Sequence, residues 1–240
     1  MHIFFTDLDG TLLDNQSNIP KELKKAIEAY VSAGHILVLA TGRPLGSVYD
    51  VIDRTGLHLP NILIIANNGS LIYDCEEKKS LLDLKMPIDD AVNLIDVIES
   101  YGIHAQTYSS KYVICKKHDP EIEFYSKRTG MTPKHDDNLR NLLDATPYKV
   151  LALELHDKEK LFKLQRDTVD YLGDKYISFF SCDEMLEFVD KRSGKGNAVT
   201  FVCEHFGIAP KDAYAAGDAE NDISMLAAVG HSIAIKNATD

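Results

Sequence analysis

Cysteine is scarce and scattered: there are four in 240 residues, at Cys75, Cys115, Cys182 and Cys203, with no Cys-x-x-Cys and no histidine partner at zinc spacing. That pattern excludes a disulfide framework or a zinc knot and reads as reduced thiols in partly buried positions. Basic side chains are outnumbered, 26 Lys and Arg against 37 Asp and Glu, for a formal net charge of −11. Long-range repulsion then argues against a general affinity for nucleic acid or anionic membranes, while small anions remain open to a local pocket. No apolar run approaches the roughly 20 residues that span a bilayer. The opening Met1-His2-Ile3-Phe4-Phe5-Thr6-Asp7 lacks the basic stretch and long apolar core of a signal peptide, so a cytoplasmic location is expected. Internal repeats, low-complexity tracts and flexible linkers are also missing.

What is present is the material of a folded core, with 45% hydrophobic and 26% charged residues. Ile3 to Asp7 is a short apolar run ending in an acidic loop, as in a buried strand of a parallel sheet. Pro20 opens a helix in which Leu23, Ala26, Ile27, Tyr30 and Val31 form one apolar stripe, and Gly34 stops it. Ile36–Ala40 reads as a second buried strand. The Thr41-Gly42-Arg43-Pro44 turn leads into a helix whose Val48, Val51 and Ile52 share a face. Ile62–Ala66 reads as a third strand, and Asn67-Asn68-Gly69 turns into Leu71–Tyr73. This alternation predicts a doubly wound α/β fold with a parallel sheet, whose sites lie at the carboxyl ends of the strands.

After about Leu84 the pattern changes. A helix through Ala91, Leu94, Ile95 and Ile98 precedes paired strand candidates at 103–108 and 112–116. A helical stretch at 121–128 and a polar region rich in Asp and Asn follow. Then come a strand at 149–155, a helix at 158–172, and strands at 176–181 and 185–189. Paired strands with helices between them predict an α+β insert with an antiparallel sheet. The first pattern resumes near Ser193. Gly194-Lys195-Gly196 opens a helix through Ala198, Val199, Val202 and Phe206. A strand at 213–216 ends in Gly217-Asp218, a helix covers 223–228, and 232–235 is a last strand candidate. The expected division is a discontinuous core of 1–83 and 188–240 around an inserted domain of 84–187.

Four segments carry chemistry. In Asp7-Leu8-Asp9-Gly10-Thr11 the alternation of an extended chain sends Asp7 and Asp9 to one side, and two close carboxylates repel unless a cation or proton intervenes. Mg²⁺ suits such a site, because it takes hard oxygens and few carboxylates; an Asp-Gly turn is the plainer alternative. Gly217-Asp218-Ala219-Glu220-Asn221-Asp222 is a second acidic cluster after a strand, readable also as a helix start in which acids favour the dipole. Thr41-Gly42-Arg43 is either a turn and cap or a hydroxyl and backbone N–H groups poised for phosphate oxygens. Lys195, between two glycines, is either solvated or a point charge for phosphate.

In this order the segments resemble the haloacid dehalogenase-like (HAD) hydrolase superfamily, in its Cof-type sugar-phosphatase branch. The motifs are Asp-x-Asp-Gly-Thr, Thr-Gly-Arg, Ala-Asn-Asn-Gly, a large insert, Lys195, and Gly-Asp-x-x-Asn-Asp-x-x-Met ending at Met225. The resemblance implies a Rossmann-like core with a type 2 cap of the larger subtype, and a Mg²⁺-dependent phosphatase acting on small phosphorylated metabolites such as sugar phosphates. It implies that Asp7 is the nucleophile and forms an aspartyl-phosphate, and that Asp9 is the acid and base. Thr41, Gly42, Lys195 and Asn221 would hold the phosphoryl group. Asp7, the Asp9 backbone carbonyl, Asp218 and an outer Asp222 would serve the metal.

Arg43 is divided between substrate and a structural carboxylate, and Asn68 is read as a turn residue. His104, Tyr108, Lys111 and Glu187 are candidates for reading the leaving group, each with a bland sheet or surface role as the alternative; His118 and His135 read as exposed. A phosphomannomutase-like or sucrose-phosphatase-like member shares the fold and chemistry; a catalytically silent binding or regulatory protein would keep the fold, and retention of both Asp7 and Asp9 argues against it. A receiver-type signalling domain does not fit, because Ile64-Ile65-Ala66-Asn67 offers no acid. Family members usually continue beyond the segment matching Ile233–Ala238 with a further strand and helix. Ending at Asp240 is therefore expected to leave a sheet edge exposed or completed by a partner, with the oligomeric state open.

Overall fold

The computed structural model describes every residue except Ser110, Asn237, Thr239 and Asp240; Asn237, within the last family-like segment, thus lies outside the described residues. In chain order the elements are β1 (Ile3–Thr6), α1 (Lys21–Ser32), β2 (Ile36–Ala40), α2 (Leu45–Thr55), β3 (Ile62–Ala66), β4 (Leu71–Asp74) and β5 (Lys79–Asp83). They continue with α3 (Ile88–Ser100), β6 (His104–Tyr108), β7 (Tyr112–Cys115), α4 (Pro120–Thr129), β8 (Thr132–His135) and β9 (Lys149–Leu153). The last are α5 (Lys158–Asp167), α6 (Val169–Leu172), β10 (Tyr176–Cys182), β11 (Met185–Asp190), α7 (Lys195–His205), β12 (Tyr214–Gly217), α8 (Ile223–Ala227) and β13 (His231–Ala234).

The chain divides into two units, Met1–Asp83 with Arg192–Asp240, and Leu84–Lys191. The return crossing falls at 191/192 and not at 187/188, because Phe188, Val189 and Asp190 stay paired to Ser178, Ile177 and Tyr176.

The first unit holds a seven-stranded sheet in the order β13-β12-β1-β2-β3-β4-β5. Neighbours from β13 to β3 are parallel, and the β3/β4 and β4/β5 pairs are antiparallel. Near-continuous apolar strands such as Ile36–Ala40 and Ile62–Ala66, buried at every position, suit a sheet covered on both faces. One face packs Ile3, Phe5, Val38, Ala40 and Ile65 against Ala198, Val199 and Val202 of α7 and Met225 of α8. β5 is an addition to the sequence reading; its partly exposed Lys79–Asp83, in which Leu81 and Leu82 are the apolar residues, lacks the apolar run that marks the inner strands. The chain leaves β1 toward β2 on one side and β12 toward β13 on the other, so β1 and β12 flank the switch point where a crevice opens at their carboxyl ends.

The second unit is a six-stranded sheet, β10-β11-β9-β6-β7-β8. It is antiparallel except for β7 and β8, which run parallel; a wholly antiparallel sheet is thereby corrected. β8 arises in the polar region, where Thr132-Pro133-Lys134-His135 carries no apolar alternation and is set by pairing to β7. The expected 158–172 helix breaks at Thr168, whose hydroxyl bonds back to the Leu164 carbonyl at 2.7 Å, a bond that competes with helix continuation. Residues of α3 and α5 pack on Ala105, Val150, Ala152, Leu186 and Phe188; Ile122 and Tyr125 of α4 pack with Val113, Leu151 and Leu153.

The turn after β3 is locked against the start of α7. Gly69 has φ +93°, and a β-carbon there would lie 2.4 Å from the Gly194 carbonyl oxygen. Beside this crossing, the Ser70 and Ser193 hydroxyls are hydrogen-bonded at 2.9 Å. Gly69→Ala must both adopt an unfavourable φ and push two backbones apart. It is expected to destabilise the protein by about 2 kcal/mol or more, read as a lower urea midpoint; an unchanged midpoint would contradict the crossing.

Candidate active site at the carboxyl ends of β1 and β12

β1 and β12 are parallel neighbours, with Thr6 opposite Ala216, so the residues that follow each strand emerge side by side. Asp7 follows β1, and Asp218 and Asp222 follow β12. Each brings a carboxylate oxygen within 4.8 Å of the others'. Lys195, at the first position of α7, is 1% exposed. Its Nζ donates to Asp7 Oδ1 at 2.6 Å and to Asp222 Oδ1 at 2.5 Å. The solvated-lysine alternative is thereby excluded: a buried ammonium is tolerable only when paired, and here two carboxylates face it.

Asp222 is wholly buried, and its second oxygen accepts from the backbone N–H groups of Asp218 and Ala219 at 3.0 and 3.1 Å. It therefore shapes the loop that presents Asp218, a role beyond a helix-start acid. The Thr11 hydroxyl donates to Asp218 Oδ1 at 2.6 Å, tying the β1 loop to the β12 loop. Asp9 stands apart from this cluster. Its carboxylate takes a two-pronged pair of bonds from Arg43, Nε to Oδ2 at 2.6 Å and Nη2 to Oδ1 at 2.5 Å. With side chains 53% and 31% exposed, the pair contributes at most about 1 kcal/mol of stability; its consequence is the orientation of Asp9. Arg43 thus pairs with a carboxylate at the crevice mouth.

Thr41 is buried, and its hydroxyl accepts the Arg43 N–H at 3.2 Å. Asn68, read as a turn residue, does turn the chain, but its buried side chain also accepts from Asn221 Nδ2 at 3.3 Å. The Asn-Asn-Gly run signals the turn alone, since Asn tolerates positive φ better than other side chains do. The Asp9–Arg43 and Asn68–Asn221 pairs are 34 and 153 residues apart in sequence, and no local pattern couples residues at those distances.

Within the second unit, His104 and Tyr108 of the leaving-group candidates lie in a polar network. His104 Nδ1 is 2.7 Å from Asp119 Oδ2 and its Nε2 is 3.1 Å from Gln106 Oε1. Gln106 donates to the Tyr108 hydroxyl at 3.1 Å, which donates to Tyr125 at 2.8 Å. Glu187 pairs with Lys149 at 3.0 Å, both buried. Lys111, His118 and His135 are exposed. The cysteines are all free, Cys115 and Cys203 buried and Cys75 and Cys182 half-buried. Among the described residues, no helix is long and apolar enough to cross a membrane.

The sequence profile of the haloacid dehalogenase-like hydrolases matches residues 4–240. The chain belongs to that family, in its Cof-type branch, and is a phosphatase. It is similar to the 5-amino-6-(5-phospho-D-ribitylamino)uracil phosphatase YwtE of Bacillus subtilis, 29% identical over 260 residues that cover 98% of this chain and 87% of that protein. The HMP-PP phosphatase of Serratia proteamaculans is 27% identical over 239 residues, covering 97% and 82%. A crystal structure of a haloacid dehalogenase-like hydrolase from Bacteroides thetaiotaomicron superposes with a TM-score of 0.84 at 22% identity, over 100% of this chain and 90% of that one.

Hydrolases of this family generally use a metal ion, and the donor set fits a hard divalent cation. Three carboxylates converge, all of them oxygen donors, with no thiolate or imidazole among them. Burial is the largest influence on Asp7: it pushes the carboxyl up to about 6 from 3.8, against the lowering effect of Lys195 and with Asp222 adding to the rise. The unfolded chain ionises Asp7 near 3.8 and the native chain near 6, so the native state holds the extra proton between those values. The cost of ionised Asp7 is absent below pH 4, grows as pH rises, and is complete above pH 6. In chelator, the stability of Asp7→Asn relative to the parent should therefore rise between pH 4 and pH 7 by on the order of 2–3 kcal/mol. Urea unfolding of both proteins at several pH values measures this; a difference constant with pH would contradict it.

Proposed function

We propose that this chain hydrolyses small phosphate monoesters, sugar phosphates or related metabolites, in a Mg²⁺-dependent reaction through an aspartyl-phosphate on Asp7, and that it does so in the cytoplasm. The observation that carries this reading is the buried Lys195 ammonium shared by Asp7 and Asp222, with Asp218 alongside. Lys195 takes one oxygen of Asp7, and the other oxygen is the one assigned to attack phosphorus. The name of the YwtE relative, a phosphatase of a phosphorylated ribityl compound, supports a small phosphomonoester as substrate.

Asp7, the Asp9 backbone carbonyl and Asp218 would hold the cation, with Asp222 behind them. When bound, the ion supplies neutralising charge to the phosphoryl oxygens. Asp7 attacks phosphorus, and the bond from phosphorus to the leaving oxygen breaks. Asp9 gives its proton to that oxygen, then takes one from the water that cleaves the aspartyl-phosphate. For this the Asp9 carboxyl must leave the Arg43 fork. Thr41, Gly42, Lys195 and Asn221 hold the phosphoryl oxygens, and donors aimed where charge accumulates lower the barrier.

The test is steady-state hydrolysis of p-nitrophenyl phosphate and a panel of sugar phosphates, with Mg²⁺ and with chelator. Chelation should remove activity and Mg²⁺ restore it. Asp7→Asn should lower kcat by ~10⁴-fold, and Asp9→Asn by ~10²–10⁴-fold on sugar phosphates. Wild-type turnover by Asp7→Asn would refute the assignment, and isomerised sugar phosphate without released phosphate would replace hydrolase by mutase.

A further inference from the structure

Asn67 and Asn68 follow β3 with φ of +49° and +53°, and Gly69 continues at +93°. Two successive non-glycine residues in the left-handed region are uncommon, and such backbone persists where the surroundings over-determine it. Here they do. The Asn67 N–H donates to the Arg43 carbonyl and the Asn68 N–H to the Thr41 carbonyl, both at 3.0 Å, and the Ser70 N–H closes the turn on Asn67. These bonds explain the backbone but not the side chain at 68. Glycine would adopt this conformation at no steric cost, yet position 68 carries an amide that is 4% exposed.

That amide is engaged on two sides. Its Oδ1 accepts from Asn221 Nδ2 at 3.3 Å. It also lies against Gly42, where a β-carbon would come within 3.1 Å of Oδ1 and 3.2 Å of Nδ2. Asn68 therefore stands between the turn after β2 and the loop after β12, the two segments that hold Thr41, Gly42 and Asn221. An asparagine amide can flip and rotate; with one Nδ2 hydrogen given to Asn68, the Asn221 amide keeps a defined orientation and a second donor hydrogen for another acceptor.

We infer that Asn68 is a positioning residue for phosphate: it orients the Asn221 amide. This rests on the proposed role of Asn221 in holding phosphoryl oxygens. Asn68 itself takes no part in bond making.

The experiment compares Asn68→Gly, Asn68→Ala, Asn221→Ala and the Asn68→Gly/Asn221→Ala double variant. Inorganic phosphate serves as a competitive inhibitor of p-nitrophenyl phosphate hydrolysis, and thermal unfolding is recorded alongside. Asn68→Gly should keep the parent Tm, because glycine accepts the turn, while its phosphate inhibition constant rises roughly three- to tenfold, the range of one lost hydrogen bond. Asn68→Ala should show the same weakening per folded molecule, whatever its Tm. The double variant should be no weaker than Asn221→Ala alone, since Asn68 acts only through Asn221.

Parent-like phosphate inhibition in both Asn68 variants, with Asn221→Ala impaired, would overturn this inference and leave the site reading standing. So would effects that multiply independently in the double variant. Parent-like inhibition in Asn221→Ala would instead remove Asn221 from the phosphate site, and both readings with it.

Discussion

The site depends on one buried cation. Lys195 begins α7, Asp7 ends the β1 run, and Asp222 lies beyond β12; the ammonium hydrogen-bonds both carboxylates from a position closed to solvent. Without it, buried Asp7 and Asp222 would face each other and Asp218 with no neutralising charge, a burial that is costly unless the charges are paired. With it, Asp222 remains available to accept the Asp218 and Ala219 N–H groups, and the loop that presents Asp218 is held in place. The raised Asp7 is the remainder of this balance: one lysine does not fully offset burial and two acidic neighbours. A site left short of positive charge suits the metal ion that hydrolases of this family generally use.

This resolves the apparent mismatch between a protein of net charge −11 and a phosphorylated substrate. The global field disfavours polyanions over long distances, whereas in the proposed reaction phosphate would be held within a few ångströms by Lys195, by donors after β2 and β12, and by the cation. Local geometry and global charge address different partners.

Much of the first unit was legible because its strands are buried on both faces. Ile36–Ala40 and Ile62–Ala66 are continuous apolar runs whose limits coincide with those of β2 and β3, and the acidic motifs sit where such strands end. What escaped reading depends on partners distant in sequence. β5 and β8 are polar, and neighbouring strands define them. The parallel pairing of β7 with β8 follows from where α4 returns the chain. Arg43 finds Asp9, Lys149 finds Glu187 and Asn68 finds Asn221 only after folding. At Thr168 the local helical pattern continues, yet one hydroxyl and its bond to Leu164 interrupt it. Asn68 shows both sides of this: the Asn-Gly run correctly announces a turn, and the same residue's amide reaches a loop that the run says nothing about.

The account turns on Asp7 as the atom acceptor of the phosphoryl group. Rapid acid quench during turnover, borohydride reduction and peptide mass spectrometry test it directly, because reduction of an aspartyl-phosphate leaves homoserine at the modified position. The account predicts homoserine at position 7, dependent on substrate and on Mg²⁺. Sustained turnover under the same conditions with aspartate intact at position 7, or with homoserine at another acidic residue, would contradict it.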